Sequence, residues 1–249
     1  MTALSGRTYW IVGASEGLGR ALALALSREG ARLVLSARSA GRLSRLAAEA
    51  GGARVLPFDV TDAAAVACAV AEAGVVDGVI YAAGRYEPMT AAAWNPEEAA
   101  AIAEVNFVGA LRLLGQVVPG MVRRGTGHVV IVGSLSAHRG LPGAIGYGAS
   151  KAALLSLAET MSADLRGTGV RVQIANPGFI RTRLTAKNAF AMPQLMEPED
   201  AAARVVALMR SSRFRADFPA PFAWLFTLGR CLPLALLHRI VGRGGPGGA

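Results

Sequence analysis

The sequence predicts an α/β fold: a doubly wound parallel sheet with helices on both faces. Three observations lead there. Short, continuous apolar runs alternate with alanine-rich stretches almost from end to end, as expected of strands that are covered on both sides. A glycine-rich turn joins the first apolar run to the first alanine-rich one. The length, 249 residues, suits one such domain with a full core and is short for two.

The expected strands are residues 8–12, 32–36, 54–58, 78–81, 128–132 and 171–175, with helices beginning near Gly17, Gly41, Asp62, Asn95 and Ser150. Asn95-Pro96-Glu97-Glu98 is a helix start, with an N-cap, a proline at the first helical position, and acids at the positive end of the dipole. Glu197-Pro198-Glu199-Asp200 opens another helix with a weaker cap. No internal repeat or linker interrupts the pattern. The closing GRGGPGGA, with residues 244–249 at its heart, reads as a frayed tail.

Hydrophobic residues make up 53% of the chain and mean hydropathy is +0.39, but much of this is alanine, which suits helix packing as well as lipid. The net charge of +9 would suit an acidic partner. Nearly all the basic residues are scattered arginines, however, without a basic block or aromatic ladder, which argues against nucleic-acid binding. Cys68 and Cys231 make neither a disulfide framework nor a metal site, and His128, His138 and His238 are too far apart to pair on one helical turn. No metal is expected. The opening MTALSGRTYW enters an apolar strand without a signal-peptide pattern, so a reducing cytoplasm is the expected setting.

The turn reads Gly13-Ala-Ser-Glu-Gly17-Leu-Gly19 and runs into the helical RALALALSREG. Such glycines let phosphate oxygens approach a helix N-terminus, where N–H groups and the dipole favour anions. The second strand then decides between cofactors. An acid about 20 residues past the glycines would hold a ribose 2′-hydroxyl. Here Ala37 and Arg38 stand instead, and an arginine pairs with a 2′-phosphate, so NADP(H) is expected over NAD(H). Further along, YGASK places Tyr147 and Lys151 four residues apart, on one face of a helix.

With this turn, YGASK and the order of strands, the chain resembles the short-chain dehydrogenase/reductase family over residues 6–211. The resemblance implies a Rossmann-type sheet of order 3-2-1-4-5-6, with a seventh strand, and a homo-oligomer (dimer or tetramer). The family's turn is T-G-x-x-x-G-[IL]-G, with Val12 here replacing the threonine, and it implies cofactor contacts from Gly13, Ser15, Gly17, Leu18 and Gly19. Asp59 in FDVTD matches the acid beside adenine, followed by Val60. YAAG stands where the family has N-N-A-G, so Ala83 and Gly84 match while Ala82 replaces the bracing asparagine. Asn106 in VNFVG matches the asparagine that distorts the long helix and holds a relay water. Ser134 has the family's spacing to Tyr147; Ser136, which strand alternation would place on the same face, is the nearby competitor. In NPGFIRT, Pro177, Gly178, Ile180 and Thr182 match the cofactor-side turn, with Ile180 and Thr182 at the carboxamide.

By the same resemblance, Tyr147 is the acid/base for a small carbonyl or alcohol substrate. Lys151 supports the phenolate and the ribose, Ser134 donates to the substrate oxygen, and Asn106 passes the proton on. A free tyrosine has a pKa near 10, and the neighbouring ammonium and oxidised nicotinamide are expected to lower it. The alternative is a nucleotide-sensing or scaffold protein on the same fold. Such proteins usually lose the tyrosine or the lysine, and both are kept.

The segment TAKNAFAMPQLME matches the family's mobile lid, with Phe190, Met192, Leu195 and Met196 either an apolar lining for a lipid-like or alicyclic substrate or, equally, packing on the chain's own core. Residues 1–217 are thus expected to form the NADP-binding and catalytic domain, and 218–243 an apolar, basic extension. That extension is interrupted by Arg230, Pro233 and His238, and each half is too short to cross a bilayer. From Ala201 onward there are seven arginines and one acid, Asp217. Two short helices in peripheral contact with an anionic membrane fit that balance; a subunit contact or a flap over the active site fits it equally.

Overall fold

The computed structural model describes residues 4–229 and 231–241. The expected tail at 244–249, together with Arg230, Gly242 and Arg243, lies outside the described residues, as does the side chain of His238. Seven strands form one parallel sheet: β1 (Thr8–Val12), β2 (Arg32–Ser36), β3 (Arg54–Val55), β4 (Gly78–Tyr81), β5 (Gly127–Val132), β6 (Val170–Pro177) and β7 (Arg215–Phe218). Their spatial order is β3-β2-β1-β4-β5-β6-β7.

The helices are α1 (Gly17–Arg28), α2 (Ala40–Glu49), α3 (Ala63–Ala73), α4 (Pro96–Ala103), α5 (Gly109–Arg124), α6 (Ile145–Asp164), α7 (Pro198–Arg210), α8 (Phe222–Gly229) and α9 (Leu234–Val241). Alternation along β1 shows how the sheet divides the core. Tyr9 and Ile11 join the cluster under α1, α2 and α7, while Trp10 and Val12 join the one under α3, α5 and α6.

The expected strand at 54–58 is cut to two residues. Leu56 N–H still donates to Leu35 O and Phe58 N–H to Ala37 O, so bonds to β2 run on past the end of β3, and Pro57 lies at a position facing the open edge of the sheet, where no strand needs its N–H. The helix expected near Ser150 begins earlier, at Ile145, so Tyr147 and Lys151 both lie inside it. The run Pro96–Arg124 is continuous helix, long and apolar enough by length and composition to cross a bilayer. It forms a layer of this fold instead, with Ala110, Leu113, Leu114 and Met121 buried against the sheet.

Towards the end of the sheet opposite the glycine turn, Gln173 Nε2 donates to Leu208 O at 2.9 Å, so its Oε1 is the acceptor facing His128 Nε2 at 2.8 Å. His128 therefore carries its proton on Nε2 and accepts at Nδ1 from the Tyr9 hydroxyl at 2.8 Å. Burial lowers its pKa to about 3, which makes it a neutral fastener between strands.

Candidate active site

The turn after β1 is tied to β2, with Gly13 and Ala14 N–H both donating to Ser36 O. Gly13 has φ +94°, and a Cβ there would lie 2.4 Å from Ala83 N; a Cβ on Gly19 would lie 2.1 Å from Gly13 O. Only glycine fits at either point. Ser15, Gly17 and Leu18 complete the turn. The N-cap of α1 is Glu16, whose side chain makes no cap bond. Its carboxylate instead takes Arg42 NH1 at 3.1 Å and Arg183 Nε at 3.1 Å. The first amides of α1 are thus left to an anion, and a diphosphate fits that donor set.

Around this turn lie the other expected cofactor residues. Arg38 is exposed just past β2 and makes no ion pair among the described residues. Asp59 Oδ1 accepts from Thr61 N at 2.9 Å and Thr61 Oγ1 at 2.8 Å, which shapes the loop after β3, and Val60 beside it is buried. Ala83 backs Gly13, and Gly84 lies close to the Asn106 carboxamide. Pro177 ends β6, Gly178 N–H donates to Phe218 O at 2.7 Å, and Ile180 is buried. Thr182 sits over Gly17, its methyl 2.9 Å from where a Cβ would be.

The expected catalytic residues come together. Lys151 is 4% exposed and donates from Nζ to Val132 O at 2.9 Å, with the ammonium 5.7 Å from the centre of the Tyr147 ring. Burial pulls its pKa down to about 8. Ser134 lies close enough to Tyr147 for its hydroxyl to draw the phenol pKa down. Ser136 does not stand on a strand with it: β5 ends at Val132, and Ser134 instead caps the short helical turn Leu135–Ala137. Both the amide and the hydroxyl of Ser136 donate to Ser134 Oγ, at 3.2 and 2.9 Å, so Ser136 orients Ser134.

The expected lowering of the Tyr147 pKa is not found in the cofactor-free chain. Burial pushes it up to about 12, the Ser134 hydroxyl draws it back in part, and Tyr86 raises it further. The Lys151 ammonium is held by Val132 O over the ring, and does not offset burial there. Without cofactor the phenol stays protonated at neutral pH.

Asn106 occupies a single π-helical turn, Glu104–Val108, between α4 and α5. Its Nδ2 donates to Arg85 O at 3.0 Å and Ser150 Oγ at 2.9 Å, while Oδ1 accepts from Arg85 N at 2.7 Å. Both donors are therefore used in joining the β4 loop to α6. Ser150 in turn donates to Tyr147 O at 2.8 Å, so Asn106 is linked to the backbone of Tyr147.

Several residues here carry no local sequence signal. The Tyr86 ring meets Tyr147 edge-on at 5.0 Å, and its hydroxyl donates to Asn188 Oδ1 at 2.7 Å. Lys187 adds a bond to Tyr86 O at 3.0 Å and an ion pair to Glu87. The segment after Thr182 is thereby latched over Tyr147. Behind Ser134, His138 Nε2 donates to Asp217 Oδ1 at 2.9 Å, and Asn176 Nδ2 donates to the same oxygen at 2.8 Å. Burial would raise the Asp217 pKa, but these bonds and the Arg215 charge more than offset it and keep the carboxylate ionised. Beside the Ser134 turn runs an aromatic row: Phe190 on Phe179 at 5.7 Å, Phe179 on Phe222 at 5.7 Å, and Phe222 on Phe226 at 5.0 Å. Leu135, Ala223 and Phe226 are buried together at its base.

A parallel sheet of this order, with a glycine turn at β1 and a Ser–Tyr–Lys cluster beyond β5, defines a dinucleotide-binding oxidoreductase. Residues 7–192 match the model of the short chain dehydrogenase family. An uncharacterized oxidoreductase of Myxococcus xanthus is 43% identical over 232 residues, 90% of each chain. The ketoacyl reductase HetN of Nostoc sp. is 33% identical over 204 residues, covering 78% of this chain and 71% of its own. Among solved structures, a short chain dehydrogenase from Burkholderia cenocepacia in complex with NADP superposes with a TM-score of 0.85 at 29% identity, covering 96% of this chain and 99% of its own. The chain belongs to the short-chain dehydrogenase/reductase family of oxidoreductases, which use a nicotinamide cofactor.

Proposed function

We propose that the chain is an NADP(H)-dependent oxidoreductase acting between a carbonyl and a secondary alcohol on an apolar substrate, with Tyr147 as acid/base. The observation that carries this reading is the cluster of Tyr147, Ser134 and buried Lys151 beside the cofactor turn. When bound, the nicotinamide gives or accepts the hydride. Ser134, held by Ser136, donates to the substrate oxygen, where negative charge develops during reduction. Tyr147 holds the proton that this oxygen takes up, and its high pKa in the cofactor-free chain keeps that proton available. Lys151 keeps a positive charge near the phenol below about pH 8, from the pKa value that burial sets. Because both Asn106 donors are occupied, a relay water on this residue would bind its main-chain carbonyl.

NADP(H) is supported by the exposed Arg38, whose guanidinium suits a 2′-phosphate, by the lack of an acid at position 37, and by the Burkholderia relative, which is an NADP complex. The aromatic row beside Ser134 supports an apolar substrate, and the Nostoc relative is named for ketoacyl reduction. The test is a panel of aliphatic, alicyclic and ketoacyl thioester carbonyls, assayed with NADPH and with NADH. NADPH oxidation that favours the longer apolar substrates is expected. Turnover with none of them, or equal use of NADH, would remove the reading.

A further inference from the structure

The helices α8 and α9 carry apolar side chains on faces that the fold does not cover. In α8, Ala223, Phe226 and Gly229 are buried, while Trp224 and Leu228, also one turn apart, are 59% and 69% exposed. Leu234 and Leu236 of α9 are 48% and 45% exposed. Of the eight large hydrophobic residues exposed among the described residues, four fall in this stretch of thirteen positions, 224–236. A helix that is apolar on both faces needs apolar surroundings on its outer side as well.

The charge carried by this segment has one sign. Residues 218–243 contain Arg230, Arg239 and Arg243 and no Asp or Glu. Arg239 is exposed. The turn between the helices is fastened to the body of the chain, where Arg139 NH2 donates to Leu232 O at 3.0 Å. At the other end, Phe222 N–H donates to Gln194 Oε1 at 3.3 Å, tying α8 to the segment that covers Tyr147.

We propose that the outer face of α8 and α9 docks on an anionic lipid bilayer, with Trp224, Leu228, Leu234 and Leu236 entering the interface and Arg239 meeting the headgroups. Each helix has eight residues, about 12 Å of length against the ~30 Å of a bilayer core, so the pair lies in the surface and does not span it. Charge selects lipid over a second copy of the chain. A two-fold contact through an acid-free face would bring arginines against arginines, whereas an anionic membrane complements them. The inner face of α8 carries Phe222 and Phe226 of the aromatic row, so the lipid surface would lie one helix diameter, about 10 Å, from the substrate side.

The test uses the full-length protein and sucrose-loaded vesicles of phosphatidylcholine, with and without phosphatidylglycerol. Sedimentation should carry the protein down with the anionic vesicles, with binding several-fold weaker when salt rises from about 0.1 to 0.5 M. In a Trp94→Phe background, Trp224 emission should shift to the blue on vesicle addition, since Trp10 is fully buried and constant. Trp224→Ser with Leu228→Ser, and separately Leu234→Ser with Leu236→Ser, should each weaken binding at least tenfold while leaving NADPH affinity and molar mass in solution unchanged. A wild-type protein that ignores anionic vesicles overturns the proposal, as do variants that bind them equally well. Variants that drop to monomers with vesicle binding unaltered also overturn it, and make this face a contact between copies.

Discussion

Replacing Lys151 with methionine should make the cofactor-free protein more stable, because the fold holds this charge against its burial. The native pKa of about 8 compares with 10.5 for a free lysine, a difference of 10.5 − 8 = 2.5. Between those values the unfolded chain holds a proton that the native lysine has released, so stability rises with pH across that window. At pH 7 both states are largely protonated, and the native state carries the full penalty, about 3 kcal/mol at ~1.36 kcal/mol per pKa unit.

Lys151→Met keeps most of the apolar stem and removes the charge. It also removes the bond to Val132 O, a loss of ~1.5 kcal/mol while the amine is charged and about 1 kcal/mol once it is neutral. The variant should therefore gain about 2 kcal/mol at pH 7, or roughly 5 °C in Tm for a chain of this size. At pH 10 the native lysine is neutral and the penalty falls to about 0.8 kcal/mol, so the two proteins should agree to within about 0.5 kcal/mol. Urea unfolding of both proteins at pH 7, 8.5 and 10, without cofactor, reads this directly, since other groups titrate alike in the two. A variant less stable than wild type at pH 7, or an advantage that persists at pH 10, refutes the reasoning.

Arg38→Leu should weaken NADPH binding by about 10- to 150-fold, the range for one charge-assisted bond of ~1.5–3 kcal/mol, and leave NADH binding unchanged; adding Ala37→Asp should turn the preference toward NADH. Fluorescence titration with both cofactors checks this, and an equal loss for NADH would show that Arg38 does not read the phosphate. Tyr86→Phe keeps the ring on Tyr147 but removes the bond to Asn188. Losing about 1 kcal/mol from the latch should speed NADPH release about fivefold in stopped-flow displacement. An unchanged release rate would mean that the segment is not held at Tyr86.

The strands β1, β2 and β4 begin and end where the apolar runs do, because buried parallel strands leave a continuous pattern. β3 is shorter than its apolar run, although Leu56 and Phe58 beyond it still donate to β2. Within the site, the glycine turn and the four-residue spacing of Tyr147 and Lys151 were visible as local patterns. The roles of Tyr86 and Asn188 were not, because they are 102 positions apart and meet only through the fold. His138 and Asp217, 79 positions apart, are hidden in the same way. The rise of the Tyr147 pKa in the cofactor-free chain is not legible in the sequence either. A nearby lysine suggests a lowered value, but burial and the anchoring of that lysine to Val132 O depend on depth, which spacing does not encode.

The central claim is that the Tyr147 hydroxyl moves the proton that accompanies hydride transfer. Single-turnover oxidation of bound NADPH by the best carbonyl of the panel, compared between wild type and Tyr147→Phe, tests it most directly. The ring still packs against Tyr86 while its proton is gone, so the rate should fall by at least about 100-fold, with NADPH affinity changed less than about threefold. A Tyr147→Phe protein that oxidises NADPH within about twofold of the wild-type rate would contradict the account.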